Sequence, residues 1–88
     1  MPLMKHVIVS GGSRGLGLGI VKSLLQNGYR VSTCSRTKTD AMTELEGVYS
    51  CFKWFPCQIG DAQQTAEFVK STCEWAKDIP LWAVINNA

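Results

Sequence analysis

The chain has 88 residues, 45% of them hydrophobic and 18% charged, enough apolar surface for one modest core and too much for intrinsic disorder. Its net charge of +2 comes without a Lys/Arg cluster, so nucleic acid has no electrostatic stripe to follow. Glycines interrupt the N-terminal apolar run too soon for a signal segment or a membrane span. Cys34, Cys51, Cys57 and Cys73 form no C-x-x-C pair, and only His6 could join them around a metal. They read as reduced, buried thiols of a cytoplasmic protein.

Val7-Ile8-Val9 is a β-branched run bounded by turn residues and predicts a buried parallel strand, with His6 just before it as a structural residue. From about Leu16 to Gln26, Leu16, Ile20, Leu24 and Val21, Leu25 recur at helical spacing, and Asn27-Gly28 supplies a C-terminal stop. Tyr29 to Ser35 is a second strand, and Ala41 to Leu45 a short helix ended by Gly47. Val48 to Cys57, rich in aromatics, is a third strand. Asp61 caps a helix running to Lys77, with Ala66, Val69, Cys73 and Ala76 as its apolar stripe. Pro80 stops it, and Leu81 to Ile85 is a fourth strand.

This alternation specifies an α/β fold with a parallel sheet and right-handed crossovers. The first two helices should cover one face and the third the other. The fourth strand is too apolar for an edge facing water, and the chain is short beside the usual ~100–200 residues per domain. It reads as the first half of a doubly wound domain.

Ser10-Gly11-Gly12-Ser13-Arg14-Gly15-Leu16-Gly17 lies between the first strand and the first helix. There backbone N–H groups and the positive end of the helix dipole converge, and glycines leave room for phosphates. The spacing of Gly11, Gly15 and Gly17 is G-x-x-x-G-x-G, neither the common G-x-G-x-x-G nor a P-loop.

With Ser10 for threonine, this turn resembles the Thr-Gly-x-x-x-Gly-x-Gly of the short-chain dehydrogenase/reductase family. Asn86-Asn87-Ala88 resembles that family's Asn-Asn-Ala-Gly after the fourth strand. The resemblance spans the chain and implies the amino-terminal half of a Rossmann-like sheet in strand order 3-2-1-4. It also implies a nicotinamide cofactor, a small carbonyl or alcohol substrate and, for the complete protein, a homo-oligomer. The cofactor-binding positions it assigns are Gly11, Ser13, Arg14, Gly15, Leu16, Gly17, Ser35, Arg36, Gln58, Ile59, Asn86 and Ala88. The asparagines are expected to serve partly in holding the sheet together. The loop wording is similar to that of 3-oxoacyl-acyl-carrier-protein reductases, but nucleotide-site residues report the cofactor and not the substrate.

An NAD site of this kind places a carboxylate at the end of the second strand to accept from the ribose hydroxyls. Here Ser35-Arg36 stands instead, and Arg14 immediately precedes Gly15. A guanidinium can bind a 2′-phosphate through two charge-assisted hydrogen bonds, which favours NADP(H). Either arginine alone could be a solvated surface residue; their pairing around the loop carries the reading. Gln58 stands where the family usually has an aspartate beside the adenine, and its amide oxygen can still accept from the adenine amino group.

The family's Tyr-x-x-x-Lys is matched only by the letters of Tyr49 and Lys53, which read as strand, where residues four apart stand roughly 13 Å apart. The resemblance therefore implies catalytic residues beyond Ala88 and no turnover from residues 1–88 alone. Two functional readings follow: the NADP(H)-binding portion of a reductase, or a truncated, non-catalytic nucleotide-binding or interaction module. A nucleoside-binding methyltransferase fits less well, because it favours an acid after the second strand and lacks the Asn-Asn-Ala ending.

Overall fold

The computed structural model describes residues 4–58, 60–77 and 79–87. The elements follow the expected alternation: β1 (His6–Ser10), α1 (Gly15–Gln26), β2 (Arg30–Ser35), α2 (Asp40–Val48), β3 (Phe52–Pro56), α3 (Ala62–Ala76) and β4 (Leu81–Asn86). The four strands form a sheet in the order β3-β2-β1-β4, parallel throughout. His6 is the first residue of β1 rather than its preface.

Helix α1 ends as its sequence dictates. Gly28 takes φ +87°, and the Tyr29 and Gly28 amides donate to the carbonyls of Leu24 and Leu25 (3.1 and 3.2 Å), the paired bonds of a glycine-terminated helix. Helix α2 differs from expectation. It runs through Gly47 to Val48 and closes with the Tyr49 amide on the Leu45 carbonyl at 2.8 Å, so β3 starts only at Phe52. Packing of Met42 and Leu45 on the sheet outweighs the cost of one helical glycine, about 1 kcal/mol against alanine. Tyr49 therefore lies in the turn after α2 and Lys53 on the strand, so the two do not share one strand.

Residues alternate across the sheet. Val7, Val9, Val31 and Phe52 face α1 and α2, where Val21, Leu25, Met42 and Leu45 complete the larger core. Ile8, Cys34 and Cys57 face the other way and pack with Phe68 of α3. The helix pair and the single helix thus lie on opposite faces, as right-handed crossovers require. The phase of α3 was misjudged from sequence: its buried side is Phe68, Thr72 and Ala76, while Ala66, Val69 (42% exposed) and Cys73 face outward. Both stripes have helical spacing, and only contact with β2 and β3 selects between them. Cys34 and Cys57 are buried thiols as expected, but Cys51 is half-buried and Cys73 exposed.

At the amino-terminal ends of β1 and β2 lies a buried polar knot. His6 Nε2 is 2.9 Å from Ser32 Oγ and 3.4 Å from Thr72 Oγ1, and the Thr72 hydroxyl also donates to Ser32 Oγ. Trp75 meets His6 edge-on and carries the Arg30 guanidinium 4.6 Å above its ring. Burial, reinforced by the Arg30 charge, lowers the His6 pKa below its ordinary 6.5. The folded state thus binds this proton less readily than the unfolded chain. His6 therefore contributes stability above pH 6.5 that is lost as pH falls below it. The thermal midpoint should drop between pH 7 and pH 5, and His6→Gln should flatten that slope; an unchanged slope would remove His6 from the account.

Among the described residues, strand β4 pairs only with β1 and forms one edge of the sheet. Trp82 is 56% and Val84 61% exposed, an apolar edge with little charge to discourage pairing. A polypeptide of residues 1–88 should self-associate at micromolar concentration. Sedimentation showing a compact monomer, with a cooperative transition by calorimetry, would contradict this. Among the described residues no helix is long and apolar enough to cross a membrane, and no group of His, Cys, Asp and Glu could hold a metal ion.

Candidate functional site

The turn between β1 and α1 is built by backbone conformations that suit glycine: Gly11 has φ +67° and Gly15 φ +58°. Arg14 is the N-cap of α1, in extended conformation, and its side chain makes no capping bond. The first intrahelical bond runs from the Leu18 amide to the Arg14 carbonyl (3.2 Å). Helix geometry thus leaves the Gly15, Leu16 and Gly17 amides without an intrahelical acceptor, and α1 has no acidic residue in its first turn. A Cβ on Gly15 would meet nothing within 4 Å, so open space lies beside these donors.

Three neighbours hold the turn in shape. The buried Thr33 hydroxyl accepts from the Gly12 amide at 2.9 Å and donates to the Val9 carbonyl. A Cβ on Gly12 would collide with that hydroxyl and with Val21, which explains a glycine that the fingerprint spacing does not require. The Gly11 amide donates to the Cys34 carbonyl at 3.2 Å. Just after β4, Asn87 Nδ2 donates to the Gly11 carbonyl (3.3 Å), and the Asn87 backbone amide donates to Ser10 Oγ (2.9 Å). Ser10 Oγ in turn donates to Asn86 Oδ1 at 3.0 Å. The two asparagines therefore tie β4 to β1 and to the turn, the structural part of their expected role. Gly17 sits where a Cβ would strike both the Gly11 carbonyl oxygen and Asn87 Nδ2.

Two adjoining clefts of about 340 Å³ each open beyond the carboxyl ends of β1, β2 and β3. One is lined by Gly11, Ser13, Arg14, Ser35, Arg36 and Thr37. The other shares Gly11, Ser35 and Arg36 and continues to Cys34, Cys57 and Gln58. The first thus brings both arginines to one space with no carboxylate in its lining among the described residues. Burial, and next the neighbouring Cys57 thiol, push the Cys34 thiol up to about 12, so it remains protonated at neutral pH. Gln58 is exposed at the far end, its amide N–H donating to Gln64 Oε1 at 2.8 Å. Asp61 caps α3 as expected, with Oδ1 accepting from the Gln64 amide at 3.1 Å.

Of the positions expected at a cofactor, Gly11, Ser13, Arg14, Ser35, Arg36 and Gln58 line the clefts. Gly15, Leu16 and Gly17 begin the adjacent helix, with the Leu16 side chain 75% exposed and outside the α1 core stripe it was expected to join. Asn86 stands at the end of β4 opposite Ser10. Ile59 and Ala88 lie outside the described residues. Sequence reasoning missed Thr33, because its partner Gly12 lies 21 residues away and only the parallel pairing of β1 and β2 brings them together.

Residues 5–88 match the profile of the short chain dehydrogenase family. The chain belongs to this family. It is 31% identical over 87 residues to the 3-amino-tetrahydro-pyrrolizinone reductase of Xenorhabdus hominickii, covering 96% of this chain and 28% of that protein. It is 33% identical over 79 residues to the NADP-dependent dehydrogenase clz5 of Cochliobolus lunatus, covering 84% of this chain and 26% of the other. Among solved structures, the carbonyl reductase Sniffer of D. melanogaster superposes with a TM-score of 0.84 at 27% identity, over 97% of this chain and 36% of that one. The chain spans under a third of the length of these two curated relatives. The strand order and the turn are those of a Rossmann-like short-chain dehydrogenase.

Proposed function

We propose that this member of the short-chain dehydrogenase family binds NADP(H), as the cofactor-binding portion of a cytoplasmic reductase acting on a small carbonyl compound or secondary alcohol. One observation carries the reading: Arg14 and Arg36 line one cleft, beside the uncapped start of α1, with no carboxylate in its lining among the described residues. A pyrophosphate would take the Gly15 to Gly17 amides and the helix dipole, and the 2′-phosphate the two guanidinium groups. Gln58 would face the adenine, with Ile59 beside it, and Asn86 and Ala88 would border the nicotinamide side. The open space beside Gly15 and the missing side-chain cap fit an anion there. The bound cofactor would donate or accept hydride. The residues described here would contribute its binding, orientation and 2′-phosphate discrimination.

The relative described as NADP-dependent supports this choice, at 33% identity. Fluorescence titration of the protein with NADPH and NADH tests it. NADPH should bind at least tenfold more tightly, and equal affinities or tighter NADH would mean that the arginines serve another purpose.

A further inference from the structure

We propose that Trp54 is a positioning residue for cofactor selectivity, its indole N–H acting through the Ser35 hydroxyl to fix the segment that presents Arg36 to the 2′-phosphate. The inference rests on the NADP(H) reading and adds a residue that is absent from the lining of either cleft.

Trp54 lies on β3, opposite Thr33 of β2, and its Nε1–H donates to Ser35 Oγ at 2.8 Å. An indole can only donate, so the hydroxyl accepts there and keeps its own proton for another partner. That proton goes to the Thr37 carbonyl at 2.9 Å. The relay from indole to hydroxyl to carbonyl closes a turn with Arg36 at its apex, flanked by the two bonded residues. The same tryptophan braces the segment a second time. Its backbone N–H donates to Glu46 Oε2 at 3.0 Å, and the other Glu46 oxygen pairs with Lys38. The Lys38 ammonium also stands 5.8 Å from the centre of the Trp54 ring. Partial burial alone would raise the Glu46 pKa, but the Lys38 and Trp54 bonds and the nearby Lys53 outweigh it, keeping the carboxylate ionised.

Residues 35–38 are thus held at the Ser35 end by the Trp54 indole and at the Lys38 end by Glu46, both outside the cleft lining. A guanidinium binds a phosphate well only over a narrow range of orientations, so slack in this segment weakens the bidentate contact. The ribose of NADH carries no dianion there. Loosening the turn should therefore change the ratio of the two affinities, whereas a residue of purely structural importance would move both together.

The test is titration of Trp54→Phe with NADPH and NADH, alone and combined with Arg36→Ala. Loss of one hydrogen bond in the relay should raise the NADPH Kd about five- to tenfold and leave the NADH Kd within about twofold. With Arg36→Ala already in place, adding Trp54→Phe should no longer shift the ratio. A parallel rise in both constants, or a shift in ratio that persists without Arg36, would overturn the proposal. Should Trp54→Phe fail to fold, Trp54→Leu, which removes the same indole donor, is judged by the same two criteria. A protein with no preference for NADPH before any substitution would remove the NADP(H) reading itself and this inference with it. A preference that Trp54→Phe leaves intact would remove the inference alone.

Discussion

Gly15→Val should abolish measurable NADPH binding while the protein still unfolds cooperatively, whereas Gly17→Val should cost the fold itself. The two glycines lie two residues apart in one turn, and their surroundings are opposite. A Cβ on Gly15 enters open space, where the proposed pyrophosphate would lie beside the helix amides, and the penalty to the folded chain is that of a left-handed residue, about 1–2 kcal/mol. A Cβ on Gly17 collides with the Asn87 side-chain amide and with the Gly11 backbone carbonyl, which cannot swing aside, so the clash exceeds the roughly 1–3 kcal/mol of ordinary overpacking. Urea denaturation and cofactor titration of both variants separate these effects. Retained affinity in folded Gly15→Val would count against the phosphate cradle.

Arg36→Asp should reverse the cofactor preference. The guanidinium can offer a 2′-phosphate two charge-assisted hydrogen bonds, each worth roughly 1.5–3 kcal/mol, so its loss should weaken NADPH by more than about a hundredfold. The introduced carboxylate repels the phosphate and can accept from the ribose hydroxyls of NADH, whose affinity should hold or improve. Arg14→Ala should act in the same direction with a smaller effect, because Arg36 remains on the shared cleft. Raising the salt concentration should weaken NADPH more than NADH. Titration of both cofactors against the variants, at two ionic strengths, reads all of these. An unchanged ratio in Arg36→Asp would exclude Arg36 from the 2′-phosphate site.

What the sequence made legible is what depends on neighbours along the chain. Asn27-Gly28 ends α1, Asp61 caps α3 and the glycine turn follows β1, because each is a bond or dihedral closed within a few residues. The βα alternation then leaves one handedness for the crossovers and hence the strand order. The errors came where distant residues decide. Val48 and Tyr49 favour strand by type, yet α2 holds Val48 because Met42 and Leu45 anchor the helix on the sheet. Thr72 occupies the buried side of α3 in place of Val69, since Ser32 and His6 offer its hydroxyl partners that no periodicity could reveal. In the site, the arginines were visible as residue types at known offsets. Thr33 on Gly12 and Trp54 on Ser35 were not, because each depends on the register between strands.

The bond from Asn87 to the Gly11 carbonyl joins groups 76 residues apart in sequence, and it gives assembly a direction. Emerging from a ribosome at about 5–20 residues per second, β1 comes first but must wait roughly 4–15 s for the strand that completes its second side. Until then the loop has its local glycine conformations and its ties to β2, but not the clamp from β4. The turn therefore reaches its clamped shape only after β4 has been made, well after its own glycines have left the ribosome. High contact order of this kind slows folding. Here it also makes docking of β4 the event that completes the turn.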